Sequence, residues 1–357
     1  MEINDLLVQT KARGASDLHL KVGSPPTFRI NGTLVRIDAP PLERDEMHAL
    51  IFGILTDDQK ARFEESHDLD FSMELRDVGR FRVNAFVNRM GEAMVMRLIP
   101  EKNKTLDELG MPPILKELSM KDRGLVLVTG PTGSGKSTTL AAMVDYMNDK
   151  REDHILTIED PIEFIHQDRK CNINQREIGP HTRSFTTALR GALREDPDII
   201  LVGEMRDQET IALALTAAET GHLVLSTLHT SNAPQTISRI VDVFPPHQQE
   251  QIRVQVADTL LGVVAQTLVP TQDGQGRVAA LEIMVANAAI RNLVRDNKVH
   301  QLSSAIQTGA REGMQSLDQS LKTLVKTRRI SQDEAIKHAT EKQAFAQEAA
   351  RVASPTL

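Results

Sequence analysis

The 357-residue sequence is poor in cysteine and aromatic side chains: it has one cysteine, one tyrosine and no tryptophan. A single cysteine, Cys171, excludes an intrachain disulfide and a zinc cluster built on cysteines, and it is typical of a reducing compartment. Aromatic residues make up only 3% of the chain, so stacking platforms for single-stranded nucleic acid are not expected. The formal net charge of −7 also argues against direct contact with nucleic acid, since a duplex-coating protein usually carries a basic stripe.

The sequence also lacks a long apolar run and a recognisable signal peptide. Residues 1–5 contain neither a basic region nor an apolar core. The most apolar stretches, such as residues 259–265, are too short to span a bilayer. We therefore expect a cytoplasmic protein that reaches a membrane only through partners. At roughly 150 residues per domain, a chain of this length predicts about two domains.

The most informative stretch is GPTGSGKS, at residues 130–137. It fits G-x-x-x-x-G-K-[ST], the phosphate-binding loop of nucleoside triphosphatases. A buried-strand pattern at 124–129 precedes it and a helical pattern follows it, so backbone N–H groups and a helix N-terminus would face the phosphates of ATP. Lys136 would reach the β- and γ-phosphates, and Ser137 would hold Mg²⁺. The predicted nucleotide-binding residues are Thr132, Gly133, Ser134, Gly135, Lys136, Ser137 and Thr138.

Carboxylates follow two further predicted core strands. IEDPIE, at residues 158–163, ends the strand at 154–158, and DIILVGE, at residues 198–204, has the form of a Walker B strand that ends at Glu204. Catalytic groups collect at the carboxyl ends of parallel strands. ATP hydrolysis needs one carboxylate to orient Mg²⁺ and its waters and another to act on the attacking water. We therefore expect residues 158–163 to be catalytic and Glu204 to act on Mg²⁺, through water.

Two histidines flank a fourth predicted core strand, at residues 222–227. His222 opens this strand and His229 follows its end. A histidine at a strand end near the γ-phosphate could sense it by a hydrogen bond, but a structural role in capping a loop is equally compatible with the spacing. Lying at opposite ends of one strand, the two histidines are too far apart to bind a single metal ion.

The first 99 residues predict a small domain of helices and antiparallel strands without a phosphate loop. Helical patterns run over 2–13 and 45–65. Asn31-Gly32 is a strong signal for a hairpin turn. Alternating strand patterns occur at 18–22, 27–35, 81–88 and 93–98.

Residues 100–113 predict a linker, because they are polar and then contain Gly110, Pro112 and Pro113. Over 114–357 strands alternate with helices, which predicts an α/β domain with a parallel sheet and crossover helices. Charged helices are expected beyond about residue 286, and a polar tail after Ala344.

Together these motifs resemble the four-motif set of the type II/IV secretion ATPase superfamily. The set comprises the phosphate loop, the acidic segment 159–163, the strand 198–204 and the two histidines. Three further segments are similar to the PilT family of type IV pilus retraction ATPases, namely GASDLHL at 14–20, NQREIG at 174–179 and AIRNLVR at 289–295. The similarity runs from about residue 3 to about residue 335. Position 294 is Val where that family commonly has Ile, a loss of only one methylene.

The resemblance implies a PAS-like N-terminal domain and a RecA-like C-terminal ATPase domain, assembled as a homohexameric ring. It implies a motor that hydrolyses ATP to drive pilus retraction and twitching motility at the cytoplasmic face of the inner membrane. Its implied partner is the platform protein of the pilus, and a retraction ATPase paralogue is a further candidate. In that family residues 289–295 are linked to retraction rather than to hydrolysis. The implied catalytic residues are Lys136, the general base Glu163, the Mg²⁺-supporting Glu204, the box histidines His222 and His229, and the N-terminal arginines Arg82 and Arg97.

Four alternatives stay open. A pilus-extension or type II secretion ATPase shares the chemistry, although such chains commonly carry a four-cysteine insertion. An accessory retraction paralogue is harder to separate, but intact Lys136, Glu163 and Glu204 favour an active motor. A RecA-like nucleic-acid translocase would need basic pore loops, and a scaffold would bind nucleotide without turning it over.

Overall fold

The computed structural model describes residues 2–30, 32–99, 103–343 and 345. The chain divides into two compact units. The first contains Met1–Lys102 and Glu163–Ile165, and the second contains Asn103–Ile162 and His166–Leu357. Of the predicted linker, residues 100–102 lie outside the described residues, and Leu106 and Met111 are buried in the core of the second unit. The predicted polar tail lies almost wholly outside the described residues.

The first unit contains a six-stranded antiparallel sheet and helices that pack on it. The helices are α1 (Ile3–Ala12), α2 (Arg44–Phe52) and α3 (Asp57–Ser66). The strands are β1 (Asp17–Lys21), β2 (Thr27–Ile30), β3 (Thr33–Arg36), β4 (Asp68–Leu75), β5 (Gly79–Asn88) and β6 (Gly91–Leu98). Their order is β3-β2-β1-β6-β5-β4, and Phe28, Phe81, Met94 and Met96 are fully buried in the core.

The helical pattern at 45–65 forms two helices, not the single helix that the sequence predicts. α2 ends at Phe52, and α3 starts with a capping box: the Thr56 hydroxyl accepts from the Gln59 N–H, and the Gln59 side chain accepts from the Thr56 N–H. This local cap outweighs the continuous helical pattern. The predicted hairpin is present, with Ile30 opposite Thr33, while its turn residue Asn31 lies outside the described residues.

The second unit contains a seven-stranded sheet in the order β13-β12-β7-β11-β10-β8-β9. All neighbours pair in parallel except β12 and β13. The strands are β7 (Gly124–Thr129), β8 (His154–Glu159), β9 (Asn172–Glu177), β10 (Ile199–Val202), β11 (Leu223–Leu228), β12 (Leu260–Pro270) and β13 (Arg277–Val285). The predicted mixed α/β fold with a parallel sheet is confirmed.

Helices cover both faces of this sheet. They are α4 (Ile114–Ser119), α5 (Lys136–Lys150), α6 (Phe185–Ala192), α7 (Gln208–Glu219), α8 (Ala233–Asp242), α9 (Pro246–Thr259), α10 (Ala288–Arg295), α11 (Leu302–Thr308), α12 (Leu317–Lys326) and α13 (Gln332–His338). α4 and α5 pack on one face, and α6 to α9 pack on the other. Helices on both faces explain why β7, β10 and β11 are buried along their whole length and mostly apolar, without an alternating pattern. Among the described helices, none combines the length and the apolar composition needed to cross a membrane.

Candidate active site

The phosphate loop lies between the end of β7 and the start of α5. Gly133 and Gly135 have positive φ angles of 77° and 87°, which glycine adopts without a steric penalty. A Cβ at Gly130 would lie 2.3 Å from the Gln266 carbonyl oxygen, so glycine is required there by close backbone approach. The N-cap residue of α5 is Gly135, which has no side chain to cap the helix, so the first N–H groups of α5 can bind an anion.

The Lys136 side chain folds back over this loop. Its Nζ donates to the carbonyl oxygen of Gly130 at 2.8 Å and to that of Pro131 at 3.2 Å. The positive charge is thereby held at the mouth of the loop, where the sequence motif predicts the β- and γ-phosphates. Within the described part of the chain, the buried Ser134 hydroxyl has no hydrogen-bond partner, which fits a loop that gains partners when a nucleotide binds.

Gln266, which is not among the predicted site residues, supports the loop from the neighbouring strand. Its Nε2 donates to the Ser134 carbonyl oxygen at 2.6 Å, and its Oε1 accepts from the Thr139 hydroxyl at 2.7 Å. One side chain, only 3% exposed, therefore ties the loop to the first turn of α5. Nothing local in the sequence signals this role, because it arises from the pairing of β12 with β7.

We predict that Gln266→Leu weakens ADP binding by about tenfold, equivalent to roughly 1.4 kcal/mol. The substitution leaves the Ser134 carbonyl and the Thr139 hydroxyl buried without their partner, so the loop loses its anchor. Titration of purified protein with a fluorescent ADP analogue measures the effect. Gln255→Leu, which removes a glutamine that bonds Glu219 on α7 instead, is the matched control. Equal affinity in the Gln266 and Gln255 variants would contradict this role.

The carboxyl ends of β8, β10 and β11 lie at the same edge of the sheet as the phosphate loop. Their parallel register places Val202 beside both Ser226 and Ile158. Gly203 then donates its N–H to the Ile158 carbonyl oxygen at 2.8 Å, and a Cβ on Gly203 would lie 3.2 Å from that oxygen. Glycine therefore lets two acidic strand ends approach each other closely.

Glu204 and His229 meet at this edge. Glu204 Oε2 lies 3.4 Å from His229 Nε2, and its Oε1 lies 2.5 Å from an Arg206 nitrogen. The Glu204 carboxylate is largely buried, with 14% exposure, while the side chains of Arg206 and His229 are more exposed. The structure thus brings together the predicted Walker B carboxylate and the second of the two predicted histidines.

Ser137 and Glu204 fit the predicted Mg²⁺ in the chemistry of their donors. A hydroxyl and a carboxylate supply the hard oxygen ligands that Mg²⁺ prefers. No cluster of three or more His, Cys, Asp or Glu side chains within the described ranges could hold a metal ion by protein ligands alone. Mg²⁺ usually keeps several waters and binds through one or two protein groups and substrate phosphates.

His222 lies at the opposite edge of the sheet from the phosphate loop of its own chain. Its carbonyl oxygen accepts from the N–H of Gly124, the first residue of β7, and its Nδ1 lies 2.9 Å from the Ala217 carbonyl oxygen. The phosphate loop starts at the other end of β7, about 20 Å away at 3.3 Å per residue. The structure does not bring His222 and His229 together. Within one chain, the position of His222 matches a structural role in capping a loop, the alternative to sensing the γ-phosphate. Its catalytic role stays a prediction.

The acidic segment begins at Glu159, whose side chain accepts hydrogen bonds, and ends at the exposed Glu163. Glu159 Oε1 accepts from the Thr157 hydroxyl at 2.7 Å and from Gln175 Nε2 at 3.2 Å. Glu163, the predicted base, is exposed, and by compactness it belongs with the first unit.

Arg82 and Arg97 are direct cross-strand partners on β5 and β6 of the first unit. Arg97 Nε donates to Asp17 Oδ1 at 2.8 Å, and Arg29 Nε lies 3.7 Å from Asp17 Oδ2. Burial raises the pKa of Asp17, but hydrogen bonds from Arg97 and Ser16 outweigh burial and hold this pKa below its ordinary value. A charged Asp17 therefore orients Arg97. Asp17 is not among the predicted site residues, although it lies in the segment 14–20.

The segment 289–295 forms α10, with Ile290 and Val294 fully buried. Arg291 donates to the carbonyl oxygens of Ala257 and Asp258 at the end of α9. Its charge thereby caps the C-terminus of that helix. Part of this segment is therefore structural.

The glycine-rich loop lies between a buried strand and a helix, and an acidic strand end lies two strands away at the same edge of the sheet. This arrangement defines a P-loop ATPase. The chain belongs to the type II/IV secretion system protein family, whose profile matches residues 2–353. It is 57% identical to the Pseudomonas aeruginosa protein named Type IV pilus retractation ATPase PilT, over 94% of this chain and 97% of that protein. It is 41% identical to Type IV pilus ATPase PilU of the same organism, over 95% and 89%. The crystal structure of the pilus retraction motor PilT with bound ADP matches with a TM-score of 0.91 and 44% identity, over 97% and 99% of the two chains.

Proposed function

We propose that this chain is an ATPase motor that drives type IV pilus retraction and twitching motility. The observation that carries the proposal is identity of 57% over almost the whole length of a retraction ATPase. The loop at 130–137 and the contact between Glu204 and His229 support hydrolysis rather than nucleotide binding alone.

In the proposed mechanism, Thr132, Gly133, Ser134, Gly135, Lys136, Ser137 and Thr138 bind the phosphates of ATP. Ser137 would hold Mg²⁺ directly and Glu204 would hold it through water, and the ion would supply charge neutralisation at the phosphate oxygens. Glu163 accepts a proton from the attacking water, while Arg82 and Arg97 compensate the charge that develops in the transition state. His229, which contacts Glu204, senses the γ-phosphate.

The proposed assembly is a homohexameric ring at the cytoplasmic face of the inner membrane. The first unit would be a PAS-like domain and the second a RecA-like domain. Loss of the γ-phosphate would release a hinge-type step of one domain relative to the other. Successive steps would turn the platform protein of the pilus and extract pilin subunits.

An accessory retraction paralogue is the second candidate. The lower identity to the PilU protein, 41% against 57% to the PilT protein, favours the primary motor. A partnership with such a paralogue is compatible with either role.

Deletion of the gene for this chain tests the proposed output. We expect hyperpiliated cells without twitching motility, because pili would still be assembled but not withdrawn. Electron microscopy of surface pili and a stab assay of surface spreading measure the two properties, with the wild-type gene in trans as the control. Bald cells would indicate an assembly ATPase instead, and normal twitching would contradict a primary retraction role.

A further inference from the structure

The segment 174–179 contains two side chains that hold the acidic loop. Gln175 on β9 donates from Nε2 to Glu159 Oε1 at 3.2 Å, and its Oε1 accepts from the His166 N–H at 2.9 Å. One amide group therefore bonds both ends of the loop 159–166, within which Glu163 lies. A glutamine suits this position because it is a donor at one end and an acceptor at the other.

Glu177 holds the middle of the same loop. Its Oε2 accepts from the N–H of Ile162 at 3.1 Å, and Ile162 directly precedes Glu163. Glu177 is only 2% exposed, and its own N–H donates to His181 Nδ1 at 2.9 Å. The backbone just before the predicted base is thus fixed by a buried carboxylate.

The register of β8 and β9 explains why these side chains meet the loop. Thr157 pairs with Gln175 and Glu159 pairs with Glu177 in parallel, so all four side chains lie on one face of the sheet. Asn174 lies on the other face and contacts His154 Nε2.

The far end of the loop is anchored to the helix that follows the phosphate loop. His166 Nδ1 lies 2.8 Å from Asp145 Oδ1 on α5, and the His166 side chain is only 3% exposed. The loop therefore has fixed points at Glu159, Ile162 and His166.

We propose that Gln175 and Glu177 are positioning residues for Glu163. This inference rests on the proposed function, in which Glu163 acts on the attacking water. A general base must stay within hydrogen-bond reach of that water, and a displacement of about 1 Å can reduce the rate by about 100-fold. The hydrogen bonds described above run from Gln175 and Glu177 to the acidic loop, so we expect their loss to change turnover and not nucleotide affinity.

Steady-state kinetics on the full chain test this proposal. We expect Gln175→Leu to lower kcat for ATP by about 10- to 100-fold, with KM and ADP affinity within about threefold of wild type. Glu177→Gln keeps an acceptor for the Ile162 N–H and should retain kcat within about threefold of wild type. Glu177→Leu removes that acceptor and should lower kcat. Asn174→Leu, on the other face of β9, is the matched control, and its kcat should stay within about twofold of the wild-type value.

A double-variant cycle with Glu163→Gln separates positioning from a general structural role. If Gln175 acts through Glu163, the Gln175→Leu change lowers the residual rate of Glu163→Gln no further. If Glu163→Gln is inactive while Gln175→Leu keeps wild-type turnover, the positioning proposal is wrong but the assignment of Glu163 as the base stands. The proposal would also be wrong if Gln175→Leu lowered the rate of Glu163→Gln by the same factor as it lowers the wild-type rate, or if ADP affinity fell together with turnover. Wild-type turnover in Glu163→Gln would instead overturn the assignment of the base in the proposed function.

Discussion

Lys136→Ala is expected to abolish measurable ATP turnover, with a loss of at least about 1000-fold. The substitution removes the cation that would stabilise charge on the β- and γ-phosphates, and such electrostatic groups contribute about 100- to 1000-fold each. It also removes the bonds from Nζ to the Gly130 and Pro131 carbonyl oxygens, which help to shape the loop. ADP affinity should therefore fall together with turnover.

Phosphate release from Mg-ATP and titration with an ADP analogue measure the two effects of Lys136→Ala. Lys150→Ala is the matched control, because Lys150 lies at the other end of the same helix and is exposed. Robust turnover in Lys136→Ala would contradict the assignment of the phosphate loop as the catalytic site.

Glu163→Gln is expected to keep ATP binding and to lower turnover by about 100- to 10,000-fold, the range for loss of a general base. The amide has nearly the same shape as the carboxylate but cannot accept the proton of the attacking water. Glu163 is exposed, whereas Glu159 already accepts hydrogen bonds from Thr157 and Gln175. This contrast favours Glu163 as the base and Glu159 as a structural carboxylate.

Single-turnover hydrolysis and ATP-analogue binding separate the two properties of Glu163→Gln. Glu152→Gln is the control, since Glu152 is an exposed glutamate in the loop between α5 and β8. Unchanged turnover in Glu163→Gln would move the base to another carboxylate, and Glu159→Gln would be the next variant to measure.

Features set by a few adjacent residues were predictable from the sequence. β7, β8, β10 and β11 are mostly apolar because both faces of the sheet are covered. The phosphate loop depends on glycines that lie within a few residues of one another. Their carboxyl ends share one edge because parallel pairing requires it. These constraints were sufficient to predict that the loop and Glu204 lie at the same edge of the sheet.

Features set by pairing between distant segments were not predictable. Gln266 reaches the loop only because β12 lies beside β7, and Asp17 reaches Arg97 only because β1 pairs with β6. The split of the helix at 45–65 depended on a cap that competes with a continuous helical pattern. His222 is a different case: it opens its predicted strand, so the rule that catalytic groups collect at carboxyl ends places it away from the phosphate loop, and its catalytic role was implied by the resemblance and not by this rule.

The sequence by itself determined the chemistry of this protein: a phosphate loop, a Walker B carboxylate and an acidic segment, each encoded by residues that are adjacent in the chain. Only the tertiary structure decided which side chains support them. Gln266, Gln175 and Glu177 reach these segments through strand pairing, and hydrogen bonds between residues far apart in sequence leave no local pattern in the sequence. The supporting residues therefore became visible only once β12 lay beside β7 and β9 lay beside β8.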